Sequence, residues 1–235
     1  MLTIRRVLAL AAIALAPPAL ARAQSDRPAP FELTFGGSGI MGVPLGDFAD
    51  VVGTPWGLGG HLAFARPGRA FGLRLDATAL IYGSETSYVP VGDPDFRQNL
   101  EVTTENWMGT MTLGPQLVLP RGRVRPYLTL GAGVSYFATD SEVRASDDFF
   151  PISRSTNYDD TVFAWAVGAG FFVPLGSEKP GSLALSIGVR FVGGGEVTYL
   201  AEGDVVDRPS GGVAFRTRKS EANRLEFHVG IAGLP

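Results

Sequence analysis

Residues 71–82 read Phe-Gly-Leu-Arg-Leu-Asp-Ala-Thr-Ala-Leu-Ile-Tyr, and this stretch decides the fold. Every odd position in it is apolar, whereas most even positions are polar or small. Successive side chains of a β-strand point to opposite faces, so the stretch predicts a strand with one apolar and one mixed face. The same alternation recurs at residues 183–192 and 224–232. The pattern therefore predicts an all-β protein.

Strands of this kind can be placed along almost the whole chain, and each has the roughly 9 to 11 residues that a tilted transmembrane β-strand needs. The best candidate for a membrane-spanning helix, residues 162–175, contains Gly168, Gly170 and Pro174 and is too short to cross a bilayer. It is therefore assigned to a strand. The eight predicted strands lie at residues 31–42, 56–65, 70–82, 105–119, 124–138, 161–175, 182–192 and 223–233.

The N-terminus has the features of an export signal. Arg5 and Arg6 precede an apolar stretch at residues 7–20, and Ala21-Arg22-Ala23 forms a small-residue cleavage signature. We expect residues 1–23 to be a signal peptide and residues 24–235 to form one barrel domain. Loss of three arginines changes the formal charge from −3 to −6, which argues against a nucleic-acid partner. The chain has no cysteine, which excludes disulfides and thiol chemistry.

The connections between the predicted strands alternate in length. Those at 66–69, 120–123 and 176–181 are short, and those at 43–55, 83–104, 139–160 and 193–222 are long. A soluble sandwich or a lipocalin-like barrel would also show period-two strands, but strict short and long alternation is typical of outer-membrane barrels. The prediction is a closed, up-and-down antiparallel transmembrane β-barrel in the bacterial outer membrane, with both termini in the periplasm.

Charges and aromatic residues follow the same asymmetry. The long connections are rich in acids, and the short turns carry Arg66, Arg69, Arg121 and Arg123. Aromatic residues near the strand ends are expected to form two girdles at the membrane surfaces. The outer girdle would contain Trp56, Trp107, Tyr136 and Phe163, and the other would contain Phe31, Phe64, Phe71 and either Phe171 or Phe172.

The face opposite the apolar stripe carries small residues and charges of both signs. An eight-stranded barrel is only wide enough for its interior to be filled by side chains, and buried charges need partners. We therefore expect a salt-bridged lumen with a structural role. Its candidate members are Glu32, His61, Arg74, Asp76, Arg125, Arg190, Arg224, Glu226 and His228.

The first predicted hairpin carries the most motif-like segment. The segments Val43-Pro44-Leu45-Gly46-Asp47-Phe48 and Trp56-Gly57-Leu58-Gly59 resemble the opening of small outer-membrane barrels of the outer membrane protein A, X and W group. This resemblance covers essentially all of the mature chain. It implies contact with outer-membrane lipid and lipopolysaccharide, and assembly by the barrel assembly machinery. Family members commonly end in an aromatic residue, whereas this chain ends Gly233-Leu234-Pro235.

Catalytic and metal-binding signals are weak. His61 and His228 lie in neither a G-x-S-x-G nor an H-E-x-x-H motif, and the His-x-Ser pattern of barrels that deacylate lipopolysaccharide is absent. The acidic pairs Asp147-Asp148 and Asp159-Asp160 lack the spacing of a calcium loop. We therefore assign no catalytic residue, cofactor or metal ligand.

The predicted function is accordingly a structural or surface-interaction role, with the long acidic loops meeting a surface ligand. Two alternatives stay open. One is a narrow passive pore or hydrophobic-molecule channel, and the other is a lipid-modifying enzyme.

Overall fold

The computed structural model describes residues 31–91, 98–119, 124–145, 153–176, 181–207 and 213–235. Eight long strands form a closed antiparallel barrel, which confirms the predicted fold class. Its strands are β1 (Glu32–Pro44), β2 (Trp56–Ala65), β3 (Phe71–Val91), β4 (Gln98–Val118), β5 (Arg125–Ala145), β6 (Ser153–Pro174), β7 (Leu183–Gly194) and β12 (Arg224–Gly233). The expected signal peptide lies outside the described residues, and no described helix is long and apolar enough to cross a membrane.

The barrel closes because its first and last strands pair with each other. β1 pairs with β2 on one side, from Glu32 opposite Ala65 to Met41 opposite Trp56. On its other side it pairs with β12, where Ile40 lies opposite His228. Closure gives every strand two hydrogen-bonded neighbours within the barrel wall, as hydrocarbon surroundings demand.

Alternation along the strands separates the two surfaces of the wall. In β3, Arg74, Thr78 and Leu80 are buried in the lumen, whereas Leu73 is 49% exposed on the outside. The same holds around the barrel, so an apolar belt of exposed side chains encircles it. Members of this belt include Leu73, Met111, Leu113, Leu128, Leu130, Val134, Trp165, Val167, Leu183, Val189, Phe227, Val229 and Ile231. A belt of this kind matches the hydrocarbon layer of a bilayer.

Four strands are much longer than a membrane crossing requires. β3, β4 and β5 have 21 residues each and β6 has 22, whereas a tilted transmembrane strand needs about 9 to 11. Their extra residues form a sheet that we call the blade, made of residues 83–91, 98–106, 139–145 and 153–161. The expected long loops at 83–104 and 139–160 are therefore wrong over most of their length. Polar residues predominate in the blade, so its strands show little of the apolar alternation by which the others were recognised.

The connection between β7 and β12 is also more ordered than expected. It contains β8 (Glu196–Tyr199), β9 (Val205–Asp207), β10 (Val213–Phe215) and β11 (Arg218–Glu221). β8 pairs with β11, and β9 pairs with β10. These four strands form one folded-over hairpin, which we call the lid. A short 3-10 turn at Gly46–Phe48 lies in the connection between β1 and β2, which we call loop 1 (residues 45–55).

The aromatic residues expected at the membrane surfaces mostly lie on the outside. Trp56 and Phe163 are exposed, and Trp107 packs on Tyr136 with ring centroids 5.4 Å apart. At the opposite end Phe31, Phe64, Phe71 and Phe171 are exposed. Phe172, the alternative to Phe171, is instead buried in the lumen at 1% exposure because alternate residues of β6 face inward. Arg121, Arg123, Asp147 and Asp148 lie outside the described residues.

Candidate functional site: the lumen, its two ends and the blade

All nine predicted lumen residues lie on inward-facing positions of the barrel strands. The structure brings five of the charged ones together near mid-barrel, places the two histidines beside them, and leaves Glu32 and Arg125 at the end of the short turns.

Glu226 is the centre of the ionic cluster and is fully buried. Arg190 Nη2 lies 2.6 Å from Glu226 Oε2, and Arg224 Nε lies 2.8 Å from Glu226 Oε1. Arg224 also donates through Nη2 to Thr110 Oγ1 at 2.8 Å. Each carboxylate oxygen therefore accepts from its own guanidinium, an arrangement that offsets the desolvation cost of burying the charges.

Asp76 connects a second arginine to this cluster. Arg74 donates to Asp76 through Nη2 at 2.8 Å and through Nε at 2.9 Å, and it donates to Gln116 at 3.4 Å. Arg190 Nη1 lies 3.8 Å from Asp76 Oδ1. Three guanidinium groups thus face two carboxylates, which leaves the cluster with one excess positive charge.

The two histidines occupy different settings. His61 is buried over Gly36, where a Cβ atom would come within 2.5 Å of the imidazole Cε1, and its ring lies 6.0 Å from that of Phe172. His228 Nε2 lies 3.3 Å from Glu226 Oε2, and His228 Nδ1 lies 3.5 Å from Ser38 Oγ.

Ser38, which sequence analysis did not single out, completes a serine, histidine and carboxylate series. Its contact with His228 is long for a hydrogen bond to a nucleophile, and Glu226 is already bound by two arginines. The geometry fits a hydrogen-bonded lumen histidine better than a nucleophile with its base.

An aromatic cluster lies in the lumen toward the end of the short turns. Its Tyr127 side chain lies over two glycines of the neighbouring strands β6 and β7, where a Cβ at Gly170 or Gly188 would lie 2.5 or 2.4 Å from the Tyr127 hydroxyl. Its ring packs on Phe172 with centroids 4.7 Å apart and lies under the Arg74 guanidinium at 5.3 Å. The absence of a side chain at these inward-facing glycines therefore makes room for Tyr127. The glycine content of the sequence alone could not show this role.

The C-terminal residues also close this end. Leu234 is 4% exposed, donates its backbone N–H to Ser182 at 2.9 Å and accepts from Gly181 at 2.9 Å. The unusual terminus thus docks an aliphatic side chain into the barrel floor. Glu32 and Arg125 line a cavity of about 80 Å³ beside it.

The opposite end of the lumen is closed by an apolar layer. Phe48 of loop 1 enters the mouth and is fully buried, with its ring 5.3 Å from Tyr199, 6.0 Å from Tyr82 and 6.4 Å from Phe137. Leu80 and Met108 lie in the same cluster and complete its base. We call this set the roof, whose members are Ile40, Phe48, Val52, Leu80, Tyr82, Met108, Phe137, Val197, Tyr199 and Ala222.

The lid is held together internally by one buried acid. Asp204 is 1% exposed; its carboxylate accepts from the Arg218 guanidinium at 2.6 and 2.9 Å and from the Ala201 backbone at 2.9 Å. The hydrogen bond from Arg218 to Asp204 raises the pKa of Arg218. Tyr82 donates to the Leu200 carbonyl at 3.3 Å, which ties the lid to the barrel wall.

The blade is held together by polar side chains. Ser141 contacts Thr104 at 2.8 Å and accepts from Asn157 at 2.6 Å on one face. On the other face Asp140 accepts from Trp107 at 3.2 Å and from Thr156 at 2.8 Å. These cross-strand contacts explain how a sheet poor in apolar residues continues beyond the barrel.

The blade acids are engaged in local contacts. Asp160 accepts from the backbone of Thr161 at 2.8 Å and of Thr198 at 2.8 Å. Glu142 pairs with Arg144. Within the described ranges no three His, Asp or Glu side chains are grouped in a way that could hold a metal ion.

Comparisons with solved structures find other small membrane barrels. Neisserial surface protein A (NspA) has a TM-score of 0.41 and 12% identity, covering 88% of this chain and 97% of that one. The attachment invasion locus protein Ail of Yersinia pestis has a TM-score of 0.38 and 10% identity, covering 87% and 96%. A major outer membrane protein from Thermus thermophilus has a TM-score of 0.37 and 14% identity, covering 86% and 98%.

No protein-family model matches the sequence, and no curated protein matches it. These solved structures resemble this chain in fold only. The closed wall and the apolar belt satisfy the two requirements of a β-structure in hydrocarbon, namely paired backbone groups and an apolar outer surface. The chain is a small closed eight-stranded β-barrel with the apolar outer belt of a membrane-spanning barrel.

Proposed function

We propose that this barrel is a closed, non-enzymatic surface protein that uses its blade to bind an extended segment of an extracellular partner. The observation that carries the proposal is the unpaired edge of β3. The pairing of β2 with β3 ends at Ile81 of β3. From Gly83 onward, β3 is paired with β4 alone among the described residues. Ser84 to Tyr88 are all exposed.

An exposed strand edge presents a row of backbone donors and acceptors. Proteins usually blunt such edges with proline, lysine or a covering loop, because another strand can add to them. Along Ser84–Tyr88 the chain has neither proline nor lysine, and Pro90 follows near the end of the strand. Among the described residues, Gly203 N–H of the lid donates to Glu85 at 3.1 Å. Strand addition by a partner is the recognition mode that this edge supports.

The charge of the blade indicates the kind of segment. Its sequence contains seven acids and two arginines, a balance of −5. The acids are Glu85, Glu101, Glu105, Asp140, Glu142, Asp159 and Asp160. Electrostatic complementarity favours a cationic partner, with a binding rate that falls as salt rises.

A closed lumen favours binding of a partner by the blade over passage of solutes through the barrel. The roof, the ionic cluster and the floor of Tyr127, Phe172 and Leu234 lie one above another along the barrel axis. The lumen acids and arginines then act as a scaffold that fixes the strands. The orientation that fits is blade outward and both termini in the periplasm.

The test uses the barrel refolded into lipid nanodiscs and a fluorescent eight-residue peptide of alternating lysine and valine. We expect Glu85→Lys with Glu101→Lys to weaken peptide binding by about tenfold or more, since blade charges are reversed beside the edge. The control is Asp47→Lys with Asp50→Lys, an equal charge change on exposed positions of loop 1. Equal loss in both variants, or binding of a proline-containing peptide of the same charge as tightly, would contradict strand addition.

A further inference from the structure

Phe48 stands apart from the other members of the roof because of the element that carries it. Ile40, Leu80, Met108 and Phe137 belong to four barrel strands, and Tyr199 belongs to the lid. Phe48 instead sits on a three-residue 3-10 turn within loop 1. The three rings that contact Phe48 therefore belong to the barrel strands and the lid, and the Phe48 ring fills a space that these elements define.

Loop 1 is hydrogen-bonded to the barrel at its two ends, and its middle is largely exposed. Its residues Gly46, Asp47, Ala49, Asp50, Gly53 and Thr54 are exposed. Between its ends loop 1 inserts Phe48 and Val52 into the roof. At its ends, Leu45 N–H donates to the Asn223 carbonyl at 2.9 Å, and the carbonyl of the buried Pro55 accepts from Gly42 N–H at 2.6 Å. The 3-10 turn has no side-chain cap, and Gly46, with φ +60°, lies at its start. Such a short, uncapped element can leave the mouth without unfolding the barrel.

We propose that the barrel mouth is an apolar binding pocket which the chain occupies with its own Phe48. A small uncharged aromatic or short-chain hydrophobic molecule arriving from the extracellular side takes the place of this ring, and loop 1 swings out when it binds. This site lies between the membrane and the lid, so it is separate from the blade edge and does not depend on the proposed peptide binding.

The chemistry of the walls sets the class of ligand. The rings of Tyr82, Phe137 and Tyr199 surround the Phe48 ring at tilted or edge-on angles of 59°, 89° and 81°, the geometry that favours another aromatic ring. Both tyrosine hydroxyls are engaged elsewhere, with the Leu200 carbonyl at 3.3 Å and with Ser220 at 3.0 Å. Few polar atoms are left to satisfy a charged or strongly polar ligand, which would lose its hydration on entry.

The first measurement follows loop 1 in the otherwise unchanged protein. Because the chain has no cysteine, Asp50→Cys gives a single position for a nitroxide label. We expect toluene to raise the mobility of this label in a saturable way, since the loop is released when the ring is displaced. The same label at Lys219, on the exposed face of the lid, controls for disturbance of the bilayer and is expected not to respond.

The second measurement empties the pocket. Phe48→Ala in lipid nanodiscs is expected to bind about one additional fluorobenzene per barrel, detected by fluorine NMR, because a dry apolar cavity takes up benzene-sized molecules. Phe215→Ala, which removes an exposed ring of the lid, is the matched control and should bind none. The proposal is overturned if the Asp50 label does not respond, if both labels respond alike, or if the two alanine variants take up equal fluorobenzene.

Discussion

At the scale of single residues, the spacing of charges along a strand predicts some lumen pairs and misses others. Residues two apart on one strand share a face, so the sequence places Arg74 and Asp76 on the same side of β3, and they lie 2.8 Å apart. The pairing of Arg190 with Glu226 depends on the register between β7 and β12, which places them directly opposite. Register over non-local strands is not visible in one sequence, so this contact could not be assigned in advance.

The buried position of Arg74 leads to the first prediction. Arg74→Ala leaves the Asp76 carboxylate without its main partner and should lower the free energy of unfolding by about 3 kcal/mol, near the low end for a broken buried pair, because Arg190 stays 3.8 Å away. Urea unfolding in lipid vesicles measures the change.

The double variant Arg74→Leu with Asp76→Leu is the control, since it removes both charges and should recover part of the loss. A double variant less stable than Arg74→Ala would mean that the two residues do not act as one pair.

At the scale of elements, periodicity located the barrel strands but not the blade. An apolar belt on one face produces alternation at residues 71–82, and this signal exists only where one side of the strand meets lipid. In the blade, which lacks the apolar belt, the strand is sustained by polar contacts such as Thr104 with Ser141. Those contacts join residues of different strands, so the sequence of either strand alone does not predict them. The lid was missed for the same reason.

The two environments along β3 can be compared directly. Leu75→Arg puts a charge on the lipid-facing side and should lower the free energy of unfolding by roughly 2 to 4 kcal/mol. The matched control is Thr86→Arg on the same strand, where the exposed blade should tolerate arginine with a change of about 0.5 kcal/mol or less. The free energies of unfolding of both variants are measured by refolding into vesicles. Equal losses would show that residues 75 and 86 lie in the same surroundings.

At the scale of the whole molecule, all short turns should lie on one side of the membrane and all long connections on the other. A protease-accessible tag inserted between Asp147 and Asp148, in the connection from β5 to β6, should be cleaved on intact cells. A tag at Gly122, in the turn from β4 to β5, should be protected until the outer membrane is opened. Cleavage of the Gly122 tag alone would invert the orientation, and equal protection of both tags on intact cells would contradict a surface-exposed blade.

Three filled layers along the barrel axis determine whether ions can pass through the lumen. Ions would have to pass the Tyr127 floor, the cluster at Glu226 and the Phe48 roof, and each is filled by buried side chains. We expect the refolded protein to give no steady single-channel current in planar bilayers. Phe48→Ala should not open it either, because the arginine and carboxylate cluster below the roof stays in place. Steady conduction by the unmodified barrel, with Arg74→Ala changing ion selectivity but not stability, would replace the closed scaffold with a narrow pore whose excess positive charge selects for anions.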